Sequence, residues 1–354
     1  LGSDLVPSIM ADDAWVRIFA QLTFAAGCIG AAAALHPRTD DGNRQLQLGG
    51  AAVLIAAGVG FLFTQKLQFD DDQAQFGTWE SAHRAVQSDP IPDVVRVTGN
   101  VTIDPGSNVA LDLVYSVRAR DRHESLIFSL NPGLQPARIS IDGSPADFTF
   151  NSGVLKLSKS LAPEQRVEIN FVIEGSPLST FGYLDSTLDL LSGSIMDSQA
   201  LMLGHDVSLN RSGYVALMPG GYWMPTAGSG VPGSDPRTNP VDHFEVDVSV
   251  GVPNGWLVAG PGLRNPDGAR VRFNPPNPVA PFGLLASRFE RYAIEVRGVT
   301  FELLLNAGHT RNLATFAELA PELENRLGKT LDRASELGLP YPYKGLTLVE
   351  IPNR

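Results

Sequence analysis

Apolar residues fall along this chain in three successive rhythms. Ala14–Leu35 is apolar almost throughout, with one charge, Arg17, near its start, and Leu46–Thr64 carries no charge at all. At the rise of an α-helix these runs would span roughly 33 and 28 Å, enough for a bilayer core. Both are rich in glycine and alanine, which let membrane helices approach closely. Two such runs joined by a short polar loop predict a membrane α-hairpin rather than a signal peptide or a buried soluble hairpin. From about Val94 to Val299 the rhythm changes to period two. Val109, Leu111, Leu113, Tyr115 and Val117 alternate with Ala110, Asp112, Val114 and Ser116. Val167, Ile169, Phe171 and Ile173 repeat the pattern, as do Phe244, Val246, Val248 and Val250. Alternation of this kind marks half-buried strands. Turn signals divide them, including Asp142-Gly143, Asn254-Gly255 and Asp267-Gly268. The third rhythm is helical: Phe316, Leu319, Leu323, Leu327, Leu331, Ala334 and Leu337 form one apolar face over Thr315–Gly338, with Gly338 as C-cap and Pro340 beyond it.

These rhythms predict a membrane α-hairpin (1–66), a linker (67–93) and an all-β antiparallel sandwich (94–299). The start of a further α+β domain (300–354) follows. Ser179–Leu203 breaks the strand pattern, and Pro219–Pro240 is too long for a turn. The last element, with alternating Leu346, Leu348 and Glu350, reads as a strand without a sheet to complete, as expected of a piece of a longer protein.

Composition sharpens this only in places. Charged residues are 18%, below the usual quarter, and net charge is -11, with no Lys/Arg cluster of the kind that binds nucleic acid. Cys28 is the single cysteine, so neither an internal disulfide nor a multi-thiolate zinc site is available. Arg38 and Arg44 in the loop between the apolar runs, against Asp70, Asp71 and Asp72 after the second, place the loop in the cytoplasm. The β domain is then extracytoplasmic.

The candidate chemistry is sparse. Histidines 36, 83, 123, 205, 243 and 309 show no zinc spacing, and H-E-x-x-H is absent. His205-Asp206 and Asp242-His243 are adjacent pairs, but no G-x-S-x-G elbow accompanies them. Gly228-Ser229-Gly230-Val231-Pro232-Gly233 matches G-x-G-x-x-G in form. Lacking a strand before it and a helix after it, the match has no phosphate-binding logic.

A set of ordered segments carries more. They are Gly221-Tyr222-Trp223-Met224-Pro225-Thr226, then Val252-Pro253-Asn254-Gly255-Trp256, then Pro281–Glu290, then Tyr341-Pro342-Tyr343 with Leu346–Pro352. In that order they resemble the N-terminal β domain and domain junction of the aminopeptidase-N family of zinc metallopeptidases. Ser287 stands where that family usually has glycine. The resemblance covers roughly residues 95–354 and implies that the final segment opens a thermolysin-like catalytic domain. It also implies that H-E-x-x-H, the downstream Glu and G-x-M-E-N lie past Arg354. Zinc is then expected in the full-length protein and not in this chain, which by itself is expected to be inactive as an enzyme. Tyr222 and Trp223 become candidates for a substrate-cleft wall, and a peptide becomes the expected substrate. Many family members hold the substrate amine with a Gln or Glu shortly before the W-x-P loop; here Tyr214–Met218 offers none. The helices ahead of the β domain resemble a narrower group, ABC-2-type permease fusions. That would make lipid and a transporter ATPase subunit partners. Its alternative function is a non-catalytic interaction module of such a permease, and a third reading is a degenerate peptidase domain without metal.

Overall fold

The computed structural model describes residues 14–36, 41–182, 184, 208–231, 242–306 and 311–351. The chain divides into two compact units, with the break between Gly77 and Thr78.

The first unit contains helix α1 (Ala14–Ala34) and most of helix α2 (Asp41–Ala85). Helix α2 is 45 residues long, so most of the expected linker is helix instead. Gly77 is the only glycine between Phe61 and Ala85, no proline lies between Pro37 and Pro90, and side chains one turn apart support the helix. Lys66 pairs with Asp70 at 2.8 Å and Glu80 with Arg84 at 2.6 Å. The acidic run 70–72, inside the expected linker, is therefore an exposed part of a helix. Arg44–Thr64 is long and apolar enough to cross a membrane, whereas the apolar part of α1 is the shorter Ile18–Ala34. One of the two expected spans therefore meets the length criterion.

The two helices touch through small residues. A Cβ placed on Gly27 would lie 2.6 Å from Cγ1 of Ile55, and one on Gly58 would lie 2.9 Å from Cβ of Phe24. Ala20 and Ala51 are buried, while Phe19, Leu22, Ile29, Val53 and Phe63 point outward. This ordering, small inside and large apolar outside, inverts that of a hairpin in water.

The second unit is mostly β. Its eight-stranded sheet is built around β1 (Asp93–Asp104), β2 (Asn108–Arg118) and β8 (Arg166–Gly175), with β4 (Leu134–Ile141) beyond β8 and β12 (Glu245–Gly251) beyond β1. The alternating residues named above meet in register: Leu111 opposes Ile173, Leu113 opposes Phe171 and Tyr115 opposes Ile169. All of them, with Val246, Val248 and Val250, lie in the core. Their outward neighbours are more exposed and several are polar, with Asn170 donating to Asp112 at 2.9 Å. The sheet is not purely antiparallel, because β1 and β12 run parallel, from Arg96 beside Glu245 to Thr102 beside Gly251. Alternation reports burial and is blind to strand direction.

Two four-stranded sheets complete the core. One holds β3 (Leu126–Ser129), β6 (Phe148–Asn151), β7 (Val154–Leu157) and β11 (Thr226–Ala227). The other holds β9 (Leu209–Asn210), β10 (Tyr214–Leu217), β13 (Leu257–Ala259) and β16 (Leu284–Ser287). The remaining strands β5 (Ser144–Pro145), β14 (Asn265–Asp267) and β15 (Arg270–Phe273) lengthen the large sheet at its ends.

A separate three-stranded sheet follows. Strands β17 (Phe289–Val296) and β18 (Val299–Asn306) form a hairpin, helix α3 (Arg311–Glu336) crosses over, and β19 (Gly345–Val349) returns parallel to β18. The last strand thus has a partner, with Phe301 beside Leu346 and Leu304 beside Val349. The sequence reading missed this because the partner lies some forty residues upstream, across a helix. The new sheet begins at Phe289, about ten residues before the expected boundary. Gly338 ends α3 as expected: at φ +76°, its N–H bonds the Ser335 carbonyl at 3.0 Å, and Leu339 N–H bonds that of Ala334 at 2.9 Å. Those two bonds are the Schellman pattern.

Candidate functional site

The segments that carry the family resemblance meet in space. A 3₁₀ turn at Pro219–Gly221 delivers Tyr222 in the left-handed region, φ +50°, and this reverses the chain into Trp223. Trp223 is 0% exposed; its indole N–H donates to the Phe282 carbonyl at 2.9 Å, and its ring meets Phe282 edge-on at 5.7 Å. The aromatic loop and the Pro281–Glu290 segment are therefore one packed unit, and Trp256 joins the same core. Trp223, expected at a cleft wall, therefore lies in the core with no exposed ring surface. Tyr222 is half-buried, its hydroxyl donating to the Gly230 carbonyl at 3.0 Å and its ring lying 6.5 Å from that of His83.

The second locus is the seam between β10 and the three-stranded sheet. Tyr214 donates its hydroxyl to the Glu350 carbonyl at 3.0 Å and meets Phe289 edge-on at 5.8 Å. Burial, helped by the Glu350 charge, pushes the Tyr214 phenol far up, so it serves as a neutral donor. The Glu350 carboxylate accepts the Asn306 N–H at 2.6 Å, tying the end of β19 to the end of β18. Ser287 sits on β16 opposite Tyr214 and donates to the Gly213 carbonyl at 2.8 Å. Its hydroxyl is absorbed by the backbone, which is how a serine is housed at the position where the family has glycine. The side chains of β10 itself are all buried and apolar but for the Tyr214 hydroxyl, so this strand supplies no Gln or Glu.

Glu302 lies at the centre of β18 and is 4% exposed. Arg264, from the loop before β14, reaches it through two bonds of 3.1 and 2.6 Å; Arg291 on β17 also bonds it, and Thr347 on β19 donates at 3.2 Å. Burial pushes this carboxyl up, but the two guanidiniums outweigh it and hold it below the usual carboxylate range. A comparable clamp closes the start of β1. Asp93 takes Arg118 and Arg120, each at 2.6 Å, and is likewise held low against the upward push of burial. Beside it Asp242 accepts the Val94 N–H at 3.0 Å, and burial pushes its carboxyl up. Asp242 is thus a backbone cap rather than half of a catalytic pair. His205-Asp206 and Pro232–Pro240 lie outside the described residues, as does nearly all of the excursion after Gly182. Among the described residues no group of three or more His, Cys, Asp or Glu converges to hold a metal ion.

No protein-family model matches the chain, and no curated protein matches it. Solved structures do. An M1 zinc metallopeptidase from Deinococcus radiodurans matches at 16% identity with a TM-score of 0.53, over 75% of this chain and 57% of that one. The fold is shared with the M1 zinc metallopeptidases. The same enzyme bound to a Tyr-Ser-Ala substrate matches at 17% identity and a TM-score of 0.54, over 76% of this chain and 58% of that one. Yeast LTA4 hydrolase matches at 14% identity and a TM-score of 0.51, over 75% of this chain and 39% of that one. This chain therefore spans less than two thirds of each M1-type neighbour. None of these structures is of a transporter permease.

Sequence reasoning missed Glu302 and His83. Glu302 lies in Val299–Asn306, where Phe301, Leu303 and Leu305 alternate with it, and an acidic residue on such a strand is most simply assigned to the solvent side. His83 was a lone histidine in what read as linker.

Proposed function

We propose that this chain is the N-terminal, non-catalytic portion of a membrane-anchored zinc metallopeptidase of the aminopeptidase type. The observation that carries the reading is the junction: a β-sandwich whose W-x-P loop packs on the 281–290 segment, followed at once by a β-α-β unit. The likeness to M1 zinc metallopeptidases over three quarters of the chain supports it.

The described residues do not fit a zinc site. Zinc, which in such enzymes activates water for attack on a peptide carbonyl, and the general base are assigned to sequence beyond Arg354. What this chain contributes is placement. The Tyr214–Glu350 and Thr347–Glu302 bonds fix β19 against β10 and β18, and hence fix where the chain leaves toward the catalytic part. Tyr222 is the remaining candidate for a cleft wall. The hairpin is proposed as a membrane anchor, with its outward Phe19, Leu22, Ile29, Val53 and Phe63 facing lipid and the 67–354 portion extracytoplasmic.

Reading the encoded sequence past Arg354 tests this proposal. An H-E-x-x-H motif with a downstream Glu is expected within roughly a hundred residues. Its absence would leave the fold and sink the peptidase.

A further inference from the structure

His83, in the last turn of α2, is 0% exposed and lies where the helix meets the loop after β11. The Gly230 N–H donates to its Nδ1 at 2.9 Å, and Ser229 donates its hydroxyl to the His83 carbonyl at 2.8 Å. Ser129 on β3 donates to the Gly228 carbonyl at 2.8 Å, which holds the far side of the same loop. One turn earlier on α2, Trp79 is buried edge-on against Phe181 at 5.0 Å, and Phe181 and Tyr222 both flank the His83 ring. Glycine suits both positions of the loop, Gly228 standing at φ +84°. A Cβ on Gly230 would lie 3.1 Å from Nδ1 of His83, from the Tyr222 hydroxyl and from Leu184. The Gly-Ser-Gly run with no nucleotide logic is thus a socket for a histidine.

This geometry fixes the proton. Nδ1 accepts an amide hydrogen, so the neutral ring carries its own hydrogen on Nε2, which faces the Ser152–Gly153 turn without a well-formed hydrogen bond. A second proton on Nδ1 would set one N–H against another. Among the described residues few titratable groups surround the ring. Tyr222 stacks on it, Glu80 and Arg84 pair with each other on the exposed flank of α2, and β3 and the β6–β7 turn present Ser129 and Ser152. Among the described residues no charged side chain acts on the imidazole; burial lowers its pKa to about 4, against a weaker upward pull from the Ser152 carbonyl.

We infer that His83 is an acid-released latch, which in its neutral form holds the end of the long helix in the Gly228–Val231 socket and on protonation lets it go.

The sign follows from linkage. The unlatched ring titrates near the ordinary histidine value and the latched ring well below it. Opening is therefore unaffected above that ordinary value and is favoured progressively as pH falls toward 4. A gap of this size raises the opening equilibrium by about a hundred-fold between pH 7 and pH 4.

The test is hydrogen–deuterium exchange on the whole chain in lipid nanodiscs from pH 7 to pH 3.5, corrected for intrinsic rates, with His83 ring titration by NMR alongside. Peptides covering 79–86 and 226–231 should lose protection with a midpoint near pH 4 while β8 stays protected, and the ring should titrate there too. His83→Asn, whose carbonyl oxygen can still accept from Gly230, should keep both peptides protected across the range. Flat protection in the wild type, loss of β8 at the same pH, a transition that survives in His83→Asn, or a ring titrating at its ordinary value would each overturn the latch.

Discussion

Glu302→Gln is the substitution whose cost the structure defines most closely. The amide fills the same space and removes only charge. Arg264 then faces a neutral partner while its side chain is 11% exposed, whereas Arg291, at 48%, can turn to water. The loss should therefore come mainly from one guanidinium left buried without its counter-charge, which costs about 3 kcal/mol. Replacing both partners, Glu302→Leu with Arg264→Met, removes the buried charge with its counter-charge and should cost less than the sum of the single changes, with a coupling of about 1–3 kcal/mol. Because β18 lies between β17 and β19, the assay is amide exchange at 299–306 and 345–349, read as local opening free energy. Opening there should become roughly a hundred-fold more frequent in Glu302→Gln, while β2 and β8 keep their protection. A change below about 0.5 kcal/mol, or equal loss in β2, would show that Glu302 does not clasp this sheet.

Other consequences can be measured directly. Trp223→Phe should cost about 2 kcal/mol in urea unfolding, because it orphans the buried Phe282 carbonyl and leaves a void beside it. Asp93→Asn should flatten the acid limb of stability. The native carboxyl is held low by Arg118 and Arg120, so its contribution is full above the ordinary aspartate value and is lost as pH falls through the depressed one. Acid titration of β1 protection in both proteins checks that sign. Gly27→Leu should force α1 from α2, since even a Cβ there would lie 2.6 Å from Ile55. In a Cys28→Ser background, cross-linking of Gly30→Cys to Ala51→Cys, whose Cβ atoms would lie 3.5 Å apart, should then disappear.

The parts of the fold legible in sequence were those governed by local rules. Period-two runs such as Val109–Val117 became core strands because side-chain alternation is a property of the strand itself. Gly338 became a helix cap because left-handed geometry favours glycine. What escaped depends on distant partners. The parallel pairing of β1 with β12 joins segments about 150 residues apart, and β19 finds β18 only once α3 has crossed over. The site was legible as ordered motifs but not as contacts. Trp223 reads equally well as a wall or as core, and only the Phe282 carbonyl beneath its indole decides. His83 and Gly230 carry no shared signature, since a histidine socket made from a glycine pair 147 residues away has no spacing rule.

The central claim is that this chain supplies the anchor and β scaffold of a zinc peptidase whose metal site lies elsewhere in the protein. Zinc content and hydrolysis of a short unblocked peptide, measured with and without chelator on residues 1–354 and on the full-length protein, test it most directly. Stoichiometric zinc and chelator-sensitive cleavage are expected in the full-length protein and neither in residues 1–354. Chelator-sensitive cleavage by residues 1–354 alone, or a full-length protein that holds no zinc and cleaves nothing, would contradict it.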